Sequence, residues 1–174
     1  MENIINVIVD DEGCVLEYPE ADVYTTAYIG KNGVTDDPKE GDMMTPLGTF
    51  DIGLVMGMHE KEEVKCELPY IKIEDNMFLV DDVNSKHYNQ LFIEGTEEKD
   101  FESAEHLSDY KVQYEYLIEI KSNPNNIKGK GSAIFLHCKN KDYTYGCVSI
   151  DREDMQKIIS TINKDTKIKI YKKN

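Results

Sequence analysis

The segment GSAIFLHCKNKDYTYGCVSI, residues 131–150, decides how this chain is read. Both of its ends alternate with the period of two expected of a half-buried strand. In SAIFLH, Ile134 and Leu136 share one face, and Ala133, Phe135 and His137 share the other. In TYGCVSI, Val148 and Ile150 face one way, and Tyr145, Cys147 and Ser149 face the opposite way. With Ile134, Leu136, Val148 and Ile150 in the core, His137 and Cys147 both point out of it. They lie on strands joined by a polar loop, an arrangement that can bring them within hydrogen-bond reach. Cys138 falls on the core side and reads as an inert buried thiol.

Working outward, most of the chain breaks into short β-type runs. NIINVIVD alternates through Ile5, Val7 and Val9, and ADVYTTAYIGKNG, TPLGTFDIGLVMG, YIKI, MFLVDD and YEYLIEI follow. KSNPNNIKGKGS is a polar loop before the decisive segment, and TKIKIYKK closes the chain as a strand through Ile168 and Ile170. One helix is expected after Ile150. Asp151 stands at its cap position with Asp154 three residues on, and Met155, Ile158, Ile159 and Ile162 form one apolar stripe. A second short helix is expected over DFESAEHLSDY, with Ser103 as its cap. The fold class that follows is mainly β, a sandwich-like or barrel-like single domain over residues 1–174.

Composition narrows the function. A chain of 174 residues, 40% hydrophobic and 31% charged, can bury a core without staples. A net charge of −14 disfavours a nucleic-acid partner, which needs a basic face. The acidic runs HEKEEVKCE and GTEEKDFESAE read as solvated surface. No stretch approaches the ~20 apolar residues of a membrane helix. MENIINVIVDDEG has acids where a signal peptide has basic residues, so the chain as written reads as cytoplasmic. Cys14, Cys66, Cys138 and Cys147 show no disulfide framework.

The chemistry then rests on His137 and Cys147. A free thiol is only a few per cent thiolate at neutral pH; a neighbouring imidazole can take its proton and return it to a leaving amine. Gly146, directly before the cysteine, allows a sharp turn that presents consecutive N–H groups to an oxyanion. From pattern alone, a buried strand and its loop remain the bland alternative. A zinc site of His137, Cys138 and Cys147 conflicts with the opposed faces of adjacent strand residues.

These residues resemble the L,D-transpeptidase family, with its YkuD-type catalytic domain. His137 is similar to the family's strand-end histidine, and Thr144-Tyr145-Gly146-Cys147 to its Ser/Thr-His-Gly-Cys block. GDMMTPLGTFDIG is similar to the family's T-P-x-G-x-F strand, and VDDVNSKHYNQ and FESAEHL resemble the middle segment of one branch. The resemblance covers roughly residues 20–165. It implies an L,D-transpeptidase-like β-sandwich and a cysteine acyltransferase acting on peptidoglycan stem peptides. Cys147 would be the nucleophile, His137 the base, the Cys138 carbonyl its orienter, and the Gly146 and Cys147 N–H groups the oxyanion hole. Thr144, Tyr145, Ser149, Thr45 and Tyr88 would contact substrate. Pro46 and Gly48 could line the cleft with Thr45, or form a plain turn. No metal or organic cofactor is implied.

The sequence departs from the family pattern at Tyr145, where histidine is usual, and at Ser149, where Arg or Asn is usual. The 137–147 loop is also short. The family works outside the membrane, which sets its implied location against the missing signal. Two alternatives stay open: a hydrolase on the same peptides, or a binding module without turnover. Asp81, Asp82, Ser85, Tyr88 and Asn89 read either as a substrate-positioning cluster or as a hydrogen-bonded loop. Tyr114 and Tyr116 read as core aromatics or as a hydroxyl near the oxyanion. His59, His87 and His106 read as surface histidines.

Overall fold

The computed structural model describes residues 3–174. Met1 and Glu2, the start of the stretch read for a signal peptide, lie outside them. The strands are β1 (Ile4–Asp10), β2 (Gly13–Tyr18), β3 (Val23–Thr26), β4 (Val34–Thr35), β5 (Thr45–Pro46), β6 (Gly48–Gly57) and β7 (Tyr70–Lys72). They continue as β8 (Met77–Val80), β9 (Leu91–Ile93), β10 (Ala104–His106), β11 (Tyr116–Ile120), β12 (Phe135–Cys138), β13 (Val148–Ile150) and β14 (Lys167–Lys172). One α-helix, α1 (Arg152–Ile159), sits between β13 and β14. The fold is mainly β, as the alternating runs require, and no described helix is long and apolar enough to cross a membrane.

Nine strands form one sheet in the order β13-β12-β11-β6-β14-β1-β2-β3, with β7 added beside β6. Its two ends meet. Tyr28, just beyond β3, exchanges two backbone hydrogen bonds of 2.9 Å with Ser149 of β13, so the sheet wraps back on itself. Ile5, Val7, Leu16, Ile168 and Ile170 from one flank and Val55, Ile118, Leu136 and Val148 from the other fill the enclosed core. Met155, Ile158 and Ile159 of α1 cover it. The stripe is amphipathic as expected, and Ile162 stays in this core although it lies beyond the helix end.

A second layer lies on the outer face of β6, β11 and β12. Strict alternation sends Met56, Leu117 and Phe135 there, against Leu79 of the small sheet β10-β8-β9. β12 is therefore buried on both faces, and on the face carrying His137 the ring of Tyr114 packs against the imidazole.

Three expectations need correction. The short helix over DFESAEHLSDY is instead β10 followed by a single 3-10 turn, Leu107–Asp109. Its intended cap, Ser103, donates to Asp81 at 2.5 Å, and residues 104–106 find backbone partners on β8. Asp151 occupies the N-cap of α1 but its side chain makes no capping hydrogen bond. His87 is buried against Phe92, 5.1 Å between ring centroids, rather than at the surface. Strand β2 has no counterpart in the runs read from sequence. It is turned onto β1 by Asp10, whose carboxylate accepts from the Glu12 and Gly13 N–H groups at 2.8 and 3.0 Å.

Candidate active site

β12 and β13 pair in parallel, with His137 opposite Ser149. The connection must therefore run back along the strands, and residues 139–147 do so as a pinned loop. Thr144 exchanges backbone bonds with Ile29 and Lys31 at 3.0 and 2.9 Å. The Thr45 hydroxyl then ties both sides, accepting from Gly30 N–H at 2.9 Å and donating to the Gly146 carbonyl at 2.8 Å. Gly30 has no room for a side chain, since a Cβ would lie 2.4 Å from the Met43 carbonyl oxygen. Gly146 holds φ at 139°, a conformation L side chains rarely adopt, and this turn delivers Cys147 to the outer face of β12.

The Cys147 thiol lies against the β12 backbone. Its sulfur donates to the Ala133 carbonyl at 3.3 Å and accepts from Phe135 N–H at 3.4 Å. His137 projects from the same face two residues farther on, about 6–7 Å along the strand. No hydrogen bond joins thiol and imidazole among the described residues; the expected direct contact is not made, because the sulfur is turned toward the strand. The His137 Nδ1 donates to the Cys138 carbonyl at 2.8 Å, which leaves Nε2 as the basic nitrogen. Tyr114 packs edge-on against His137, with ring centroids 5.5 Å apart. Burial pushes the imidazole down to about 4, against the pull of that carbonyl. Burial, with the charge of Glu105, pushes the Cys147 thiol up to about 12. Both groups are neutral at rest.

His137 and Cys147 line one cleft of about 460 Å³, together with Thr144, Tyr145 and Ser149. Tyr145 is 71% exposed at its edge, and the Ser149 hydroxyl is buried without a partner. The other sequence-derived contacts are used up by the fold. Thr45 is wholly buried as the brace just described. The Tyr88 hydroxyl donates to Glu40 at 2.6 Å and accepts from Gly131 N–H at 3.0 Å, and its ring is core. The Thr144 hydroxyl donates to the Cys147 carbonyl at 2.6 Å and accepts from Gly146 N–H at 3.0 Å. That last bond occupies the Gly146 N–H expected in an oxyanion hole. The Cys147 N–H has no acceptor among the described residues. Cys138, on the opposite face, packs in the main core, so it cannot share a metal with His137 and Cys147.

Of the polar cluster, Asp81 lines the cleft while Ser85 and Asn89 hold loops, Ser85 through Asp100 and Asn89 through Asn123 and Asn126. Tyr116 accepts from Gln156 at 2.9 Å, away from the cleft. Glu105 is the residue that sequence reasoning missed. It closes the acidic run read as solvated surface, yet it lines the cleft and accepts the Tyr114 hydroxyl at 2.5 Å. Burial, then the charges of Asp81 and Glu40, push its carboxyl up to about 7.

Compared with known proteins, residues 5–170 match the family model described as YkuD, L,D-transpeptidase catalytic domain. A comparison with curated protein sequences returns no significant match. Among solved structures, the chain is similar to the helical cell shape determining protein Pgp2 from Campylobacter jejuni, with 13% identity and a TM-score of 0.47. That alignment covers 99% of this chain and 49% of the other, so the chain spans about half the length of that protein.

Proposed function

The chain belongs to the L,D-transpeptidase catalytic domain family, and on that premise we propose that it is a cysteine acyltransferase acting on peptidoglycan stem peptides. The observation that carries this reading is the convergence of the Cys147 sulfur and the free Nε2 side of His137 on one cleft. Substrate arrival turns the thiol away from the Ala133 carbonyl toward His137. The thiol proton passes to Nε2 as sulfur attacks the carbonyl before the terminal D-residue. The same proton then leaves with the departing amine, and a Cys147 thioester remains. The Cys147 N–H, helped by backbone rearrangement at Gly146, steadies the oxyanion. An amine on a second stem takes the acyl group and completes a cross-link. Tyr145 and Ser149 contact the peptide from the edge and the floor. The cell-wall location implied by the family belongs to the same proposal.

The test is mass spectrometry of disaccharide tetrapeptides incubated with the protein and with Cys147→Ala. Dimers that depend on Cys147, with an acylated Cys147 in the intact protein, are the expected result. Monomers one residue lighter would make water the acceptor and the protein a carboxypeptidase. A folded protein that yields neither is a binding module.

A further inference from the structure

Three carboxylates line the cleft that holds Cys147: Glu40, Asp81 and Glu105. Among the described residues none of them forms an ion pair. Their hydrogen-bond donors are neutral hydroxyls. Tyr88 and Ser132 donate to Glu40 at 2.6 and 2.7 Å, Ser103 to Asp81, and Tyr114 to Glu105. The second oxygen of Glu105 has no partner among the described residues. Lys141 is the one lysine lining the cleft among the described residues, and it sits with Tyr143, 5.8 Å from its ring. On the cleft floor the Ser149 hydroxyl is buried and unpaired, directly across the ladder from His137. The cleft thus holds unanswered acceptors and unanswered negative charge beside the nucleophile. A ligand that satisfies them carries a donor-rich cation.

We propose, building on the acyl-transfer reading above, that Glu105 receives the ammonium group of the amine that takes the acyl group, and accepts the proton this amine must lose before attacking. One proton of R–NH3+ moves to the Glu105 carboxylate. The neutral amine forms the C–N bond at the thioester carbonyl as the C–S bond breaks. A second proton returns through His137 to the Cys147 sulfur, and Glu105 later releases its own to water. A carboxyl held near neutrality is suited to this exchange. Tyr114, which bonds Glu105 and packs on His137, holds the two proton carriers in one assembly. Asp81 and Glu40 draw the cation toward them.

The experiment measures how the acyl-enzyme divides between an amine and water. The protein is given a tetrapeptide donor and either n-propylamine, a cation at neutral pH, or hydroxylamine, which is uncharged there. In Glu105→Gln the ratio of propylamide to hydrolysis product is expected to fall about tenfold or more, while the hydroxylamine ratio holds. Glu105→Asp should recover part of the loss. Asp81→Asn, a second and milder variant, should raise the propylamine concentration needed without altering the hydroxylamine ratio. Equal losses for both acceptors, or none for either, overturn the Glu105 assignment, as does a wild-type protein that transfers only to water. Absence of any acyl-Cys147 in the wild-type protein defeats the acyl-transfer reading itself, and this inference with it.

Discussion

At the scale of single residues, the site is held by small groups that do no chemistry. Thr45 reaches both Gly30 N–H and the Gly146 carbonyl with one hydroxyl. Thr45→Val keeps the shape and removes both bonds, leaving a buried donor unpaired, which should cost about 1–3 kcal/mol in urea unfolding. Gly146→Ala should cost a similar amount, about 1–3 kcal/mol, because its φ is 139° and its Cβ would stand 3.1 Å from the Met44 carbonyl oxygen. The thiol itself makes a sharper expectation. With burial and Glu105 holding Cys147 at about 12, its alkylation by iodoacetamide at pH 8 should be at least ~100-fold slower than that of free cysteine. Glu105→Gln removes the nearby negative charge and should speed that alkylation. A rate equal to free cysteine at pH 8 would contradict the resting geometry, in which the sulfur lies against the β12 backbone.

At the scale of elements, alternation carried most of the legible information. The faces of β12 follow from its sequence, and Leu136 and Cys138 do sit in one core with Phe135 and His137 away from it. What alternation cannot give is a roof. The small sheet that packs through Leu79 on the Phe135 side of β12 is made by residues 77–106, and nothing local in SAIFLH announces it. Strand β10 was hidden for a related reason: Ala104–His106 has no apolar stripe, and only pairing with β8 makes it a strand. Glu105 was misplaced with it, since a charged residue in an acidic run looks solvated until pairing with a distant strand sets it in the cleft wall. α1 was legible because its stripe is local. Ile158→Ala should cost about 2–5 kcal/mol, whereas Lys157→Ala on the exposed face should stay within about 0.5 kcal/mol, by urea midpoints. The helix start is also pinned by Arg152, bidentate on Glu115, which holds that carboxyl at about 2. Solvent screens this half-exposed pair, and what it contributes is present above pH 4.5 and lost as the pH falls toward 2.

At the scale of the whole molecule, the site writes its own signature into stability against pH. Two groups of the cleft titrate in opposite senses. His137 is held at about 4 against an ordinary 6.5, so between those values the unfolded chain binds the extra proton, and stability rises with pH. Glu105 is held at about 7 against an ordinary 4.5, so in that interval the folded chain binds the extra proton, and stability falls with pH. Glu115, held at about 2 against an ordinary 4.5, is ionised in the folded chain throughout and adds slope only at the acid end of this range, in wild type and variants alike. From pH 4.5 to 6.5 the two cleft groups therefore oppose each other, and the wild-type urea midpoint should change little. Each variant unmasks the other group. His137→Asn should lose stability as the pH rises from 4.5 to 7, and Glu105→Gln should lose it as the pH drops from 6.5 toward 4.5. Each trend has a span of up to about 3 kcal/mol. Curves for the two variants that run parallel would show that the histidine and the carboxylate do not share the buried cleft from which both the acyl-transfer chemistry and its acceptor have been argued.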